Sequence, residues 1–194
     1  MIFSRLRSCF CALVILVISG CALPIQPRLA DTQHYILISI PEQKMLLLEN
    51  GKEIAKYTIS SAKNGVGDLP DSYMTPLGKM EIAEKFGAGL PLGSVLKDRQ
   101  ATGEIVAPDA PGRDPIVSRV LWLRGMEEGN RNAYDRFIYI HGTPQENLLG
   151  TPASFGCIRM RSVDVAALYE LVGIGAQVWI VQESLENALK TLHE

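Results

Sequence analysis

Two residue types able to attack and protonate an amide stand close together late in the chain. A histidine ends an apolar run, Phe137-Ile138-Tyr139-Ile140-His141, with Gly142 and Thr143 directly after it. A cysteine follows in a glycine-bracketed turn, Ser154-Phe155-Gly156-Cys157-Ile158-Arg159. A thiol becomes an effective nucleophile near neutral pH when a base adjoins it, and imidazole exchanges its proton in that range. The other histidines, His34 and His193, lie near the ends of the domain, so His141 is the candidate proton carrier. Acyl chemistry also needs oxyanion donors and a shaped pocket. Gly156 permits a tight turn beside the nucleophile, and the N–H of Gly156, Cys157 or Ile158 is then available to the oxyanion.

Magnitudes rank these contributions. A cysteine of pKa about 8.5 is roughly 3% thiolate at pH 7, and lowering the pKa by about two units raises that some 25-fold. The accompanying loss of nucleophilicity takes back about 6- to 10-fold. Each oxyanion donor contributes roughly 10²–10³ and a proton carrier about 10²–10⁴. Geometry around Cys157 therefore outweighs its acidity, and the larger role of His141 is to protonate the leaving amine.

The cysteine inventory agrees with a reactive thiol. Residues 1–20 read as an export signal, with Arg5 and Arg7 before the short apolar core Cys9–Ile18. Ile18-Ser19-Gly20-Cys21 resembles a bacterial lipobox, with cleavage before Cys21 and lipid on its sulfur; an ordinary cleaved signal is the alternative. Cys9 and Cys11 leave with the signal and Cys21 is acylated, so Cys157 has no intramolecular partner in an oxidising compartment. A buried inert cysteine is the competing reading, but Gly156, Ser154 and Arg159 suit a site rim better than a core.

Residues 21–33 form the lipidated cysteine and a tether reaching at most about 40 Å. Ala22 stands where Gram-negative lipoproteins retained at the inner membrane carry aspartate. The expected place is thus the periplasmic face of the outer membrane. Removing Arg5 and Arg7 with the signal moves the formal net charge from −2 to −4, which gives no indication of nucleic-acid binding. The remaining length, about 174 residues, suits one core-forming domain.

The elements around the pair are mainly β. His34–Ile40, Lys44–Glu49 and Glu53–Ser60 read as a meander, its second turn marked by Asn50-Gly51. Thr75–Ile82 is a turn feeding a strand, and residues 87–117 read as a long glycine- and proline-punctuated loop or as hidden short strands. Ser118–Met126 and Asp135–His141 are two more strands. Alternation in the latter puts Phe137, Tyr139 and His141 on one face and Ile138 and Ile140 on the other. Ser162 is expected to cap a helix over Val163–Val172, and Ala176–Val181 is a last strand. Ser184 caps a terminal helix whose Leu185, Leu189 and Leu192 share a face. The catalytic domain is expected over 34–182, with a C-terminal helix over 183–194. Gly87, Gly89 and Gly93 lack dinucleotide-fingerprint spacing, and no ligand set for zinc is evident.

The segment from His141 to Arg159 resembles the signature of the L,D-transpeptidases, cysteine enzymes that cross-link peptidoglycan, and the resemblance extends weakly over residues 34–181. Thr75-Pro76-Leu77-Gly78 is similar to a Thr-Pro-x-Gly element of the same family. The resemblance implies a β-sandwich of mixed sheets with one or two short helices. It makes Cys157 the nucleophile and His141 its partner, oriented by the backbone carbonyl just after it, with no metal or organic cofactor. Arg159 is implied to position substrate, against an alternative in which it pairs structurally with an Asp such as Asp164. Ser154 matches the family's Ser/Thr; Thr143 and Tyr139 flank the site, Tyr139 as a wall or a core aromatic. Phe155 departs from the commonest pattern, which has histidine there; the base role falls on the retained His141.

The implied activity is cysteine-dependent L,D-transpeptidation on tetrapeptide stems, with transfer to a stem amine or to a protein lysine, and sensitivity to carbapenems. An L,D-carboxypeptidase or hydrolase, and a non-catalytic peptidoglycan-binding lipoprotein, are the alternatives.

Overall fold

The computed structural model of the chain describes residues 29–193. The signal, the lipidation site Cys21 and the start of the tether lie outside the described residues. From Ala30 onward the tether is docked: the Asp31 N–H donates to the Ile174 carbonyl (2.8 Å), and the Asp31 carboxylate accepts the Gly173 N–H (2.6 Å).

Ten strands make one curled mixed sheet. They are β1 His34–Ser39, β2 Lys44–Glu49, β3 Lys52–Thr58, β4 Gly78–Phe86, β5 Ser94–Lys97, β6 Gln100–Ile105, β7 Val117–Gly125, β8 Tyr139–Gly142, β9 Ile158–Met160 and β10 Gln177–Val181. Two helices, α1 Ser162–Leu171 and α2 Leu185–His193, complete it. The path runs β3-β2-β1-β10-β4-β7-β5-β6, and β8 and β9 branch from β7. Along Val120–Trp122, β7 is paired with β4 on one edge and β8 on the other. The β1–β10 and β8–β9 pairs are parallel; the others are antiparallel.

Asn50 and Gly51 take φ of +49° and +77°, the two positive values that a tight hairpin turn needs. Alternation along the strands then sends Ile36, Ile38, Leu47, Ile82, Leu121, Leu123, Ile140, Ile158 and Ile180 into one interior, closed by Val165 and Leu168 of α1. The sandwich expected from the sequence is thus one sheet curled around α1. A second core lies on the opposite face, where Leu185 and Ala188 of α2 cover Leu37, Leu46 and Val181. A third, with Leu96, Val120, Trp122 and Tyr139, lines the face of β7 and β8 turned away from α1.

Three element boundaries differ from the sequence reading. Residues 87–117 contain the β5–β6 hairpin, whose two-residue turn uses Asp98 and Arg99 at φ of +49° and +66°. Asp135–Ile138 is not strand: β8 begins at Tyr139, and Phe137 holds the left-handed value of +57°. Ser162 is the first helical residue rather than the cap; Arg161 takes the cap position, and the Glu146 carboxylate accepts the Ser162 N–H at 2.9 Å. At the terminal helix, Ser184 Oγ does accept the Asn187 N–H (3.2 Å), as an N-cap should.

Candidate active site

The parallel pairing of β8 with β9 brings the two chemical groups to one place. Its register sets His141 opposite Arg159 and Ile140 opposite Ile158. Paired residues share a sheet face, so Ile140 and Ile158 enter the core while His141 and Arg159 face the other way. Tyr139 and Cys157 lie two residues earlier on the two segments and share that outward face. Cys157 packs beside Tyr139, and its sulfur accepts the Tyr139 N–H at 3.4 Å.

Each group has a fixed partner. His141 is buried, and its Nδ1 donates to the Gly142 carbonyl at 2.8 Å, which leaves Nε2 as the acceptor nitrogen. The extended backbone of β8 aims that carbonyl at the ring. Gly142 is required there because a Cβ would lie 2.6 Å from the Val117 carbonyl oxygen. The half-buried Cys157 thiol donates to the Phe137 carbonyl at 3.3 Å. The left-handed backbone of Phe137 ends the preceding turn and puts that carbonyl within the thiol's reach.

Burial pushes the Cys157 thiol up to about 11, opposed by the Tyr139 N–H and, more weakly, by the Arg159 and Arg136 charges. Burial likewise pulls His141 down to about 4; the Gly142 hydrogen bond works against this, Arg159 lowers it further and Asp114 raises it. Both shifts favour the uncharged forms at neutral pH, thiol and imidazole alike.

The turn that carries Cys157 is braced from three sides. Ser154 is buried; its hydroxyl donates to the Cys157 carbonyl (2.6 Å) and accepts the Gly156 N–H (3.2 Å). Thr75 Oγ1 donates to the Gly156 carbonyl (3.0 Å) while accepting the Ala62 N–H (3.0 Å). Arg136 bonds the carbonyls of Gly67 (3.1 Å) and Met74 (2.8 Å) and pairs with Asp68 (2.9 Å), holding loop 67–74 against the site.

Arg159 is buried and paired with Asp114 at 2.6 Å. The alternative partner, Asp164, instead takes Arg161 (2.7 Å). Asp114 also accepts from Thr143 Oγ1 at 2.6 Å, so Thr143, Asp114 and Arg159 form one buried polar unit below His141. Two grooves open on either side of Phe137. One, of about 280 Å³, is lined by Arg99, Asp98, Leu96 and Tyr139. The Arg99 guanidinium lies 4.9 Å from the Trp122 ring and 3.4 Å from the Tyr139 hydroxyl. The other, of about 440 Å³, is lined by Asp71, Tyr73, Asp135, Arg136 and the exposed Phe155.

The structure therefore gathers Cys157, His141, Arg159, Tyr139, Thr143, Ser154, Gly142 and Gly156 into one region, with Phe155 at its rim. Sequence reading missed Asp114, Arg99, Arg136 and the bracing role of Thr75; only Thr75 had a signal, its Thr-Pro-x-Gly setting. Among the described residues no group of three or more His, Cys, Asp or Glu side chains is arranged to hold a metal ion.

The fold is a curled mixed sheet that presents a cysteine and a histidine from adjacent parallel segments. A family model described as the L,D-transpeptidase catalytic domain matches residues 33–180. The chain belongs to that family. Its curated relatives in Escherichia coli include the probable L,D-transpeptidase YbiS, 27% identical over 171 residues, spanning 84% of this chain and 50% of the relative. The probable L,D-transpeptidase YcfS is 26% identical over 170 residues, with 84% and 49% covered. The chain thus spans about half the length of these relatives. Among solved structures, Bdellovibrio bacteriovorus Bd1075 shares the fold with a TM-score of 0.52 at 16% identity, covering 82% of this chain and 53% of that one. L,D-transpeptidase 3 from Mycobacterium tuberculosis, solved with a faropenem-derived adduct, has a TM-score of 0.50 at 19% identity, with 78% and 60% covered.

Proposed function

We propose that the chain is a peptidoglycan L,D-transpeptidase working through a cysteine thioester on tetrapeptide stems. The observation that carries the reading is the β8–β9 register, which aligns Cys157 with the face of His141 while Gly142 orients the imidazole.

In this reading Cys157 Sγ attacks the carbonyl between the L-centre of diaminopimelate and the terminal D-alanine. The thiol proton passes to Nε2 of His141 as the carbon–sulfur bond forms. Because both groups rest neutral, the transfer accompanies attack rather than preceding it. The Cys157 N–H is the preferred oxyanion donor, since the Gly156 N–H is engaged by Ser154. His141 then protonates the departing D-alanine amine as the carbon–nitrogen bond breaks. An acceptor amine attacks the thioester, a new amide forms, and the thiol regains its proton through the same imidazole. Export and a lipid anchor at Cys21 belong to this reading on the leader sequence alone.

Intact-mass measurement after exposure to a carbapenem tests nucleophile and pocket together. One drug mass is expected on the wild type and none on Cys157→Ala, which also loses all tetrapeptide cross-linking while keeping the native circular dichroism. Cross-linking retained by Cys157→Ala would refute the assignment. Incubating tetrapeptide with and without an amine acceptor separates transfer from hydrolysis; release of tripeptide unaffected by acceptor would favour the hydrolase.

A further inference from the structure

We infer that Asp114 is a positioning residue of this site: acting through Arg159, it sets the charge beside His141 so that the ring can hold a proton midway through acyl transfer. The inference rests on the acyl-transfer reading of Cys157 and gives a role to a residue which that reading leaves unused.

The β8–β9 register sets Arg159 directly opposite His141, and Arg159 follows Cys157 by two residues on the same segment. The guanidinium is buried, so water and salt screen its charge poorly. When Cys157 gives its proton to Nε2 and the carbon–sulfur bond forms, the imidazole becomes a cation next to that guanidinium. The two like charges oppose each other until the proton leaves with the departing amine. Asp114 supplies the offset. Its carboxylate meets the guanidinium at 2.6 Å and is fixed by the Thr143 hydroxyl, also at 2.6 Å. Among the described residues it is the one carboxylate paired with Arg159. Arg136 also bears on the sulfur, but Asp68 holds it at 2.9 Å, and burial keeps the Tyr139 phenol neutral.

The carboxylate is delivered by loop 106–116, which is latched on either side of Asp114. The Asp109 N–H donates to the Pro144 carbonyl (2.6 Å), and the Asp109 carboxylate accepts the Asn147 N–H (2.9 Å). Beyond Asp114, the Ile116 carbonyl accepts the Leu96 N–H at 2.9 Å. Asp114 thus reaches the site from outside the β8–β9 ladder.

Alkylation of the full chain by iodoacetamide at about pH 8 reads the charge around the thiol without a bound stem peptide. Asp114→Asn leaves Arg159 uncompensated and favours the thiolate. The rate should rise about threefold, the net of an about tenfold gain in thiolate and the accompanying loss of nucleophilicity. Arg159→Gln leaves Asp114 uncompensated and should lower the rate about threefold by the same reasoning. The double variant returns to about the wild-type rate. A turn loosened by the substitutions would alkylate faster in all three variants; that pattern overturns the inference, as does a rate unchanged in both single variants. If Asp114→Asn does not fold, a slower Arg159→Gln and a restored double variant decide it. Tetrapeptide turnover moves the other way: Asp114→Asn lowers kcat about tenfold although its thiol reacts faster, and Asp114→Glu recovers most of it. An undiminished kcat in Asp114→Asn also overturns the inference. A wild type that takes no carbapenem removes the acyl-transfer reading and this role with it, whereas a carbapenem adduct with the wrong order of alkylation rates removes the role alone.

Discussion

His141 carries a thermodynamic signature as well as a chemical one. Its imidazole falls from an ordinary value of 6.5 to about 4 on folding because it is buried. Between those values the unfolded chain binds the extra proton, so stability rises with pH through that window and is lost as pH falls toward 4. The size is up to roughly 3 kcal/mol for a shift of this order. Urea unfolding at pH 4.5 and pH 7 should show the loss in wild type and a smaller one in His141→Gln. Equal losses in both would show that the histidine is not the source. The pair itself was legible in the sequence because each member carries its own local signal: an apolar run ending in His-Gly, and a cysteine beside Gly156. Asp114 was not legible. It reaches Arg159 and Thr143 from a glycine- and proline-punctuated loop, and nothing local marks it.

At the scale of elements, the turn that carries Cys157 depends on a loop far away in the chain. Thr75, 81 residues before Gly156 in sequence, joins it to Ala62 with one buried hydroxyl. Thr75→Val strands a buried donor and a buried acceptor, each costing about 1–3 kcal/mol. The variant should unfold at lower urea and acylate with a carbapenem more than tenfold slower; an unaltered acylation rate in the folded variant would separate the brace from the chemistry. The strands that the sequence concealed have physical reasons for it. β6 is exposed along its whole length and so shows no apolar alternation. The β5–β6 turn makes two positive φ values with Asp98 and Arg99 rather than with Asn-Gly. Phe137 continues the alternating pattern of β8 in sequence while its backbone has already left it.

For the whole molecule, the curled sheet separates stability from chemistry. α2 seals Leu37, Leu46 and Val181 on one face of the sheet, and the site lies beyond β7. Leu185→Ala opens a hole under α2 and should cost about 2–4 kcal/mol. The fall in urea midpoint should come with a carbapenem acylation rate within twofold of wild type. A proportional loss of both would tie α2 to the site. The helix face of Leu185, Leu189 and Leu192, expected from their spacing, meets this second core.

The ladder between β8 and β9 sets the faces of the two strands, and the connector between His141 and Cys157 is pinned separately, its Gly150 N–H donating to the Ile59 carbonyl and its Ala153 N–H to the Ser61 carbonyl, each at 2.9 Å. Residues 144–153 run outside the sheet as a short 3₁₀ turn and loop. Lengthening that excursion between its anchors, at Leu148–Leu149 and away from the Glu146 carboxylate that meets α1, should leave imidazole and sulfur in step. Here is a stretch where lineages can drift in size, or an engineer can splice a tag, without retuning the machinery on either side.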